Sequence, residues 1–182
     1  STVGVHVNVV SYISKATPIK PDNAYALSKY LAEEAVRIFV KRYSILRIAG
    51  IYGLDGPTHL GLNVAIGNAL YKKIPPILKG PGKAKRNYIC VDDVARWIAH
   101  LVKQYEQHRY APQETIYIAG QETLTVEEYL QMVAEILVPG KQLMYKAGEE
   151  ADDCVIAASP APFTLRSFRQ YLNSLVSMVQ TD

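Results

Sequence analysis

Hydrophobic and polar positions along the chain follow two periods, one typical of strands and one typical of helices. Short runs rich in β-branched and aromatic residues predict strands within residues 43–53, 115–119 and 141–147. Apolar residues that recur every three to four positions predict five helices, within residues 21–39, 62–73, 92–107, 125–137 and 163–179. Because strands alternate with helices, the pattern indicates an α/β protein.

Turn-forming residues mark where these elements begin and end. Asp22 or Asn23 can cap the first helix, and Thr125 opens the fourth. Residues 75–91 are interrupted by proline and glycine, which predicts two short strands around a glycine-containing turn. The first dozen residues have the pattern of a buried strand end that leads into a loop, whereas residues 148–162 predict an exposed loop.

Composition narrows the class of protein. The 182 residues are 49% hydrophobic and 20% charged, a balance typical of soluble globular proteins, and the net charge of +3 contains no block of like charges. We therefore expect neither a nucleic acid nor a membrane as a partner. Cys90 and Cys154 lack metal-ligand spacing, which predicts free buried thiols, no metal site and a reducing, cytoplasmic location.

Tyr25 and Lys29 stand four residues apart near the start of the first predicted helix, so they share one of its faces. A tyrosine hydroxyl ordinarily ionises at about pH 10. A neighbouring ammonium and the positive end of a helix both lower that pKa, which suits the pair to exchange a proton with an alcohol or carbonyl. A hydroxyl from Ser1 or Thr2 could bind the same oxygen. The alternative is an exposed pair without a role, since the chain has 13 tyrosines.

Several segments resemble, in order, the motifs of one family. "YALSKYLAEEAVR" resembles the Tyr-x-x-x-Lys helix of the extended short-chain dehydrogenase/reductases, the NAD-dependent sugar epimerase/dehydratase family. "STVGVH" is similar to the strand end that carries the family's catalytic serine or threonine, and "ILRIAGIYG" to its Leu-Arg-x-x-x-x-Tyr-Gly strand and loop. "RNYICVDDVARWI" resembles its Arg-Asp-Tyr-Ile-His-Val-Asp-Asp-Val-Ala segment, and "IYIAGQETLTVEEYLQMVAEIL" the strand, turn and helix that follow. The resemblance covers residues 1 to about 138.

The resemblance implies a fold and a domain division. The fold is the C-terminal part of a Rossmann-like, doubly wound NAD(P)-binding domain beside a small mixed α/β substrate-binding domain. Residues 1–50 would belong to the Rossmann-like domain with the Tyr-x-x-x-Lys helix, and 51–182 mostly to the substrate-binding region. A strand and helix near 87–120 would return to the Rossmann-like sheet. A homodimer through the Tyr-x-x-x-Lys helix is implied in the same way.

The resemblance also implies catalytic and cofactor-binding residues. Tyr25 would be the general acid/base, and Lys29 would lower its pKa and bind the nicotinamide ribose. Thr2 falls at the position of the family's catalytic hydroxyl, with Ser1 as the competing candidate. Ile48 and Ala49, together with Tyr25 and Lys29, would contact the cofactor.

Candidate substrate contacts follow from the same resemblance. Gly50 lies in the loop that would meet the substrate, and Arg86 lies where family members often contact a substrate diphosphate, a role that suits a guanidinium. His6 is a candidate proton relay, with a packing role as the alternative. For Asp92 and Asp93 we expect a structural role, because acidic residues at a helix start cap it and complement its dipole.

The chain departs from the family pattern in ways that bear on its activity. His6-Val7 replaces the family's Tyr-Gly, and Gly50 replaces an asparagine common in nucleotide-sugar epimerases. Val3 and Gly4 replace the acidic residues of dehydratases, which argues against sugar dehydration. A Gly-x-Gly-x-x-Gly turn is missing. We therefore expect the C-terminal portion of a longer protein, which would bind NAD or NADP poorly by itself.

The leading hypothesis is an NAD(P)-dependent nucleotide-sugar epimerase or reductase, an isomerase or oxidoreductase in which Tyr25 moves a proton while hydride is transferred. The alternatives are a non-catalytic protein on the same fold, acting as a nucleotide sensor or scaffold, and a stand-alone interaction domain. The presence of Tyr25, Lys29 and a hydroxyl at Thr2 favours the enzyme, because a scaffold needs none of them.

Overall fold

Strands and helices alternate along residues 1–6, 11–107 and 113–179, which this computed structural model describes. A one-turn 3-10 helix at Val3–Val5 precedes five α-helices: α1 (Ala24–Phe39), α2 (Gly61–Lys72), α3 (Val91–Glu106), α4 (Val126–Leu137) and α5 (Phe168–Val179). The strands are β1 (Tyr12–Ile13), β2 (Tyr43–Ile48), β3 (Ile51–Tyr52), β4 (Ile77–Lys79), β5 (Lys85–Arg86), β6 (Ile89–Cys90), β7 (Gln113–Ile118), β8 (Leu124–Thr125), β9 (Met144–Lys146) and β10 (Val155–Ile156). The predicted α/β class is confirmed.

The longest strand pair ends at the candidate site. β2 and β7 run parallel through six residue pairs, the last of which joins Ile48 to Ile118. A parallel bridge from Thr2 to Ile48 adds the start of the chain to the other edge of β2. Because parallel strands present their carboxyl ends at one edge of a sheet, Thr2 and the loop after Ile48 lie side by side.

The remaining strands form short pairs. β1 pairs with β10, β3 with β6 and β4 with β9, all parallel, and β5 pairs antiparallel with β8. The strands predicted around the glycine turn are present as β4 and β5, but each pairs with a distant strand rather than with the other. The predicted domain boundary at residue 50 stays a prediction.

The largest hydrophobic cluster lies between α2, α4 and α5. The apolar stripe of α4 faces it, with Tyr129, Leu130 and Val133 buried. Thr125 begins this helix through a capping box: its hydroxyl accepts the Glu128 N–H at 3.1 Å, and the Glu128 carboxylate accepts the Thr125 N–H at 2.7 Å. The two bonds satisfy backbone donors that the helix itself cannot. Within the described residues, no helix combines the length and apolar character needed to cross a membrane.

Helix α1 carries most of its apolar residues on an exposed face. Asn23 caps it, because its side-chain oxygen accepts the Ala26 N–H at 2.9 Å. Leu31 and Ile38 are exposed, and Phe39 is 83% exposed. The described residues therefore leave this apolar face uncovered.

One prediction for an irregular segment is wrong, and the prediction for the start of the chain holds at Thr2 only. Within the predicted exposed loop 148–162, Val155–Ile156 forms β10, and Ile156 is buried with Val3 and Tyr117 in one cluster. The predicted strand end at the start of the chain is a bridge at Thr2 followed by the 3-10 helix, because the Thr2 hydroxyl accepts the Gly4 N–H at 3.2 Å and tightens the turn. Residues 7–10 of that prediction lie outside the described residues.

Candidate active site

A cavity of about 570 Å³, the Tyr25 cavity, lies where the start of the chain, the end of β2 and the start of α1 meet. Thr2 reaches it through its bridge to Ile48, and Tyr25 through the Asn23 cap that fixes the first turn of α1. Its walls are Ser1, Thr2, Val3, Tyr25, Ile48, Ala49, Gly50, Ile51, Pro57 and His59. The structure thus brings most of the predicted site residues together. His59 was not predicted, because no motif singles it out.

Lys29 places its ammonium over the ring of Tyr25. The distance from Nζ to the ring centroid is 5.5 Å, within the range of cation–π contacts of about 6 Å. Tyr25 is 62% exposed, and Lys29 is half-buried outside the cavity wall. The one-turn spacing therefore produces the predicted adjacency of phenol and ammonium.

Ser1 and Thr2, the competing hydroxyl candidates, have different hydrogen-bond partners. The Ser1 hydroxyl donates to the Glu33 carboxylate at 2.5 Å. The Thr2 oxygen accepts the Gly4 N–H, so its own proton is not used in that bond. Thr2 is the better placed of the two to donate a hydrogen bond into the cavity.

Arg86 lies in a second cavity of about 200 Å³, which shares Val3, Ala49 and Gly50 with the Tyr25 cavity. Its Nη1 donates to the carbonyl oxygens of Lys85 and Asp152 at 2.8 and 2.7 Å. A guanidinium has five N–H donors, so these bonds orient the group without exhausting its capacity for a ligand.

Tyr88 occupies the space beside Gly50. A Cβ atom at Gly50 would lie 2.5 Å from Tyr88 Cδ1 and 2.6 Å from Cε1, so a larger residue cannot fit unless the ring moves. Burial raises the pKa of Tyr88, although Arg86 acts in the opposite direction. At the neighbouring Gly53, the side chain of Val91 likewise occupies the space that a Cβ atom would need. Side chains therefore fill the space beside Gly50 and Gly53, so the loop that carries them is a packed loop rather than a phosphate cradle.

A third cavity, of about 630 Å³, continues from Tyr88 between α2, β4 and α4. Lys79 and Lys146 contribute two ammonium groups to its mostly apolar wall. This cavity was not predicted, because its walls combine residues 61–88 with residues 126–146, which no local sequence pattern connects. Neighbouring cavities share wall residues, with Tyr88 common to the second and third, so the three lie in a series from Tyr25 to Lys146.

His6 is not among the residues that line the Tyr25 cavity. It is 1% exposed, its Nδ1 lies 3.1 Å from the Pro18 carbonyl oxygen, and its Nε2 lies 2.8 Å from the Tyr117 hydroxyl. Burial and the nearby Arg47 keep its pKa below the ordinary value. The structure thus places His6 in a buried hydrogen-bond network, which favours the packing role.

A buried ion pair, missed in the sequence, joins α1 to β2. Glu33 and Arg47 are 3% and 4% exposed, and two parallel hydrogen bonds of 3.1 and 2.7 Å connect them. Burial alone would raise the pKa of Glu33, but the bonds from Arg47 and Ser1 outweigh it and hold that pKa below its ordinary value. Glu33 follows Lys29 by four residues, on the face of α1 that carries Tyr25. This spacing is the one sequence signal that could have pointed to Glu33.

Asp92 and Asp93 have structural partners. Asp93 is buried and accepts bonds from Arg96 Nη1 and from the backbone N–H of Arg166. Asp92 pairs with the Arg166 side chain at 2.8 Å. The two carboxylates thus tie α3 to the segment before α5. Their role is structural, as expected, but it differs from the expected cap, because no side-chain hydrogen bond caps α3.

The cavity residues fit one end of a dinucleotide. Val3 and Ile48 contribute apolar side chains to the cavity wall, Tyr25 and Thr2 contribute hydroxyl groups, and Lys29 lies beside Tyr25, a combination that suits a nicotinamide and its ribose. A Gly-x-Gly-x-x-Gly turn, which receives a pyrophosphate in Rossmann folds, does not occur in this sequence. The adenine end is therefore not matched by these residues.

Known proteins share this architecture. A UDP-glucuronic acid 4-epimerase from Bacillus cereus, solved with NAD, has a TM-score of 0.78 and 18% identity, over 100% of this chain and 58% of its own. A UDP-glucose 4-epimerase from Thermotoga maritima, solved with UDP-glucose, has a TM-score of 0.76 and 21% identity, over 100% and 62%. This chain thus spans about three fifths of the length of either protein.

Sequence comparison agrees with the fold. A Methanocaldococcus jannaschii protein, provisionally named as a UDP-glucose 4-epimerase, is 33% identical over 85 residues, which are 43% of this chain and 28% of that protein. Residues 5–119, well over half of the chain, match the NAD dependent epimerase/dehydratase family. Together with the Rossmann-like α/β fold, this match shows that the chain belongs to the NAD-dependent epimerase/dehydratase family.

Proposed function

We propose that the chain carries the proton-transfer and substrate-binding groups of an NAD(P)-dependent oxidoreductase that acts on a nucleotide sugar, as an epimerase or a reductase. One observation carries this proposal: the Tyr25 cavity brings together a phenol and a threonine hydroxyl, and an ammonium outside its wall lies over the phenol ring. Interconversion of an alcohol and a carbonyl needs a proton donor and acceptor of this kind.

Each residue has a distinct part in the proposed reaction. Tyr25 takes the proton of the substrate hydroxyl and returns it in the reverse direction. Thr2 donates a hydrogen bond to the same oxygen, and Lys29 supplies positive charge beside the phenol and binds the nicotinamide ribose. Ile48 and Ala49 form the wall against the nicotinamide. When bound, the cofactor supplies hydride acceptance and return at the substrate carbon.

The series of three cavities supports an elongated substrate. A sugar at Tyr25 would extend past Gly50 to Arg86, where a guanidinium suits a diphosphate. The apolar third cavity beyond Tyr88 is large enough for a further ring, such as a nucleoside base. Related structures contain UDP-glucose and NAD, which also supports this substrate class.

A homodimer through α1 belongs to the same proposal. The exposed apolar side chains of Leu27, Leu31, Ile38 and Phe39 support it, because burial against a second copy would remove them from water. Tyr25 lies on this helix, so association would also stabilise the cavity.

The test is nucleotide binding and turnover by the protein as its gene encodes it. Calorimetry with NAD and NADP is compared for the wild type, Tyr25→Phe and Lys29→Ala, with Tyr71→Phe as a control because Tyr71 is similarly exposed on α2. We expect Tyr25→Phe to bind normally but to turn over UDP-glucose or another nucleotide sugar at least about 100-fold more slowly. Lys29→Ala should weaken binding, and Tyr71→Phe should change neither.

Two outcomes would contradict the enzyme. If the wild type binds no nucleotide, the Tyr25–Lys29 pair has no catalytic part. If it binds nucleotide but transforms no nucleotide sugar, the alternative of a non-catalytic nucleotide sensor or scaffold is favoured.

A further inference from the structure

Arg47 connects to the first residue of the chain through one carboxylate. Its Nε and Nη2 donate to the two oxygens of Glu33 at 3.1 and 2.7 Å. The Ser1 hydroxyl donates to Oε1 of the same group at 2.5 Å. Arg37 adds a further bond to Oε2 at 3.1 Å. Ser1 is therefore fixed relative to both α1 and β2.

Arg47 also fixes residue 6. Its Nη1 donates to the Tyr117 hydroxyl at 2.6 Å and lies 3.2 Å from His6 Nε2. The Pro18 carbonyl near Nδ1 can only accept, so Nδ1 carries the proton of a neutral ring and Nε2 is the acceptor. The Tyr117 hydroxyl, which accepts from Arg47, then donates its proton to Nε2. Every group of this buried network has a partner.

Thr2 lies between these two fixed ends. Its side chain caps the 3-10 helix Val3–Val5, and its backbone bridges to Ile48 beside Arg47. Tyr25, which also lines the cavity, belongs to the helix that carries Glu33. The Arg47–Glu33 pair is thus the buried connection between the proposed acid/base and the segment that presents Thr2.

A stabilising role alone is a weak explanation for this pair. Removing two charges from water costs about as much as their attraction returns, and apolar replacements of buried ion pairs are often neutral or stabilising. What such a pair does supply is fixed geometry, because a guanidinium and a carboxylate bind through two parallel bonds. Proton transfer depends on geometry, and a shift of about 1 Å at a site can cost about 100-fold in rate.

We propose that Arg47 and Glu33 are positioning residues that fix both ends of the segment Ser1–His6, so that Thr2 rather than Ser1 presents its hydroxyl to the substrate oxygen opposite Tyr25. This inference rests on the proposed function for the part that concerns the substrate. Glu33 has two effects here: it sets the position of Thr2 through Arg47, and it engages the proton of Ser1.

The experiment compares Arg47→Lys and Glu33→Gln with Asp93→Asn in the protein as its gene encodes it. Asp93 is the matched control because it is also buried and paired with an arginine, but it ties α3 to the segment before α5. Unfolding temperature, kcat and KM with a nucleotide sugar, and hydrogen exchange of the peptide covering residues 1–6 are measured. If Glu33→Gln does not fold, the conservative Arg47→Lys carries the comparison.

We expect kcat to fall about 100-fold in both network variants while KM changes little, the effect of a shift of about 1 Å in the site. Exchange in residues 1–6 should accelerate by about tenfold or more, which corresponds to a local loss of about 1.4 kcal/mol. Asp93→Asn should lower the unfolding temperature without either effect. Thr2→Val should lower kcat more than Ser1→Ala does.

Three results would overturn the inference. Changes in kcat and exchange no larger than those of Asp93→Asn would leave the pair a structural role only. A larger effect of Ser1→Ala than of Thr2→Val would assign the hydroxyl to Ser1. If the wild type transforms no nucleotide sugar, the proposed function fails, and hydrogen exchange alone then tests the positioning role. Equal exchange rates of residues 1–6 in the network variants and in Asp93→Asn would exclude that role.

Discussion

Replacing Gly50 with alanine tests whether Tyr88 defines the space beside the proposed reaction centre. The new methyl group would lie 2.5 and 2.6 Å from two ring carbons, whereas carbon atoms in contact are about 3.5–4.0 Å apart. The ring would have to shift by about 1 Å, against Tyr129, whose ring centroid is 5.1 Å away. Overpacking of this kind costs about 1–3 kcal/mol. For a chain of this length, that lowers Tm by roughly 2–12 °C.

The assay is thermal unfolding followed by circular dichroism. Gly67→Ala is the matched control, because Gly67 is in the interior of α2 and a Cβ there meets nothing within 4 Å. It should stabilise the chain by about 0.5–1 kcal/mol. Because Gly50 does not have a positive φ, the destabilisation caused by Gly50→Ala comes from the contact with Tyr88. That destabilisation should fall below about 0.5 kcal/mol in a Tyr88→Ala background. An unchanged cost in that background, or a Gly50→Ala protein as stable as Gly67→Ala, would refute the reasoning.

Three further predictions concern ionisation, thiols and capping. Burial opposes ionisation of Glu33, but its hydrogen bonds outweigh this effect and hold its pKa below the ordinary 4.5. The stabilisation that Glu33 provides is therefore complete above pH 4.5 and is lost as the pH falls through the lower pKa of the native state. The unfolding temperature of Glu33→Gln should decline less in acid than that of the wild type, and a parallel decline of the two would contradict the assignment. Burial raises the pKa of Cys90 to about 11 and also raises that of Cys154, but Cys90 is 1% exposed whereas Cys154 is half-buried. A thiol reagent at pH 8 should therefore label Cys154 first, as read by mass spectrometry of the peptides, and prior labelling of Cys90 would be inconsistent with the fold. Thr125→Ala should cost about 1 kcal/mol in thermal unfolding by removing the cap of α4, whereas the exposed Thr123→Ala should cost little, and equal costs would count against the capping box.

Local patterns explain why the helices were predictable. Apolar periodicity and capping residues act within a few positions of one another, so Thr125 could be identified as the start of α4 from sequence alone. Strand partners could not be predicted, because the alternation of residues along a strand shows which side chains share a face but not which strand lies next to it. Ile156 in β10 looked like part of a loop for this reason: its partner strand β1 lies near the other end of the chain.

Some residues of the candidate site could be predicted from the sequence and others could not, for the same reason. Tyr25 and Lys29 could be paired because both lie on one helix, and Thr2 followed from the family resemblance. Glu33 and Arg47 were not predicted, because charged side chains on a helix and a strand are usually solvated, and only tertiary packing buries these two together. Sequence gives the proposed reacting groups more readily than the groups that hold them in place.

The pairing of β1 with β10 has a consequence for how this protein forms. It joins residue 12 to residue 155, and the adjoining cluster packs Val3 with Ile156. Contacts between such distant residues close a long loop, so they form late and fold slowly. During synthesis the segment that carries Thr2 must wait for residue 156 to leave the ribosome. The cavity beside Tyr25 is therefore complete only after residue 156 has been made, although all of its wall residues precede residue 60.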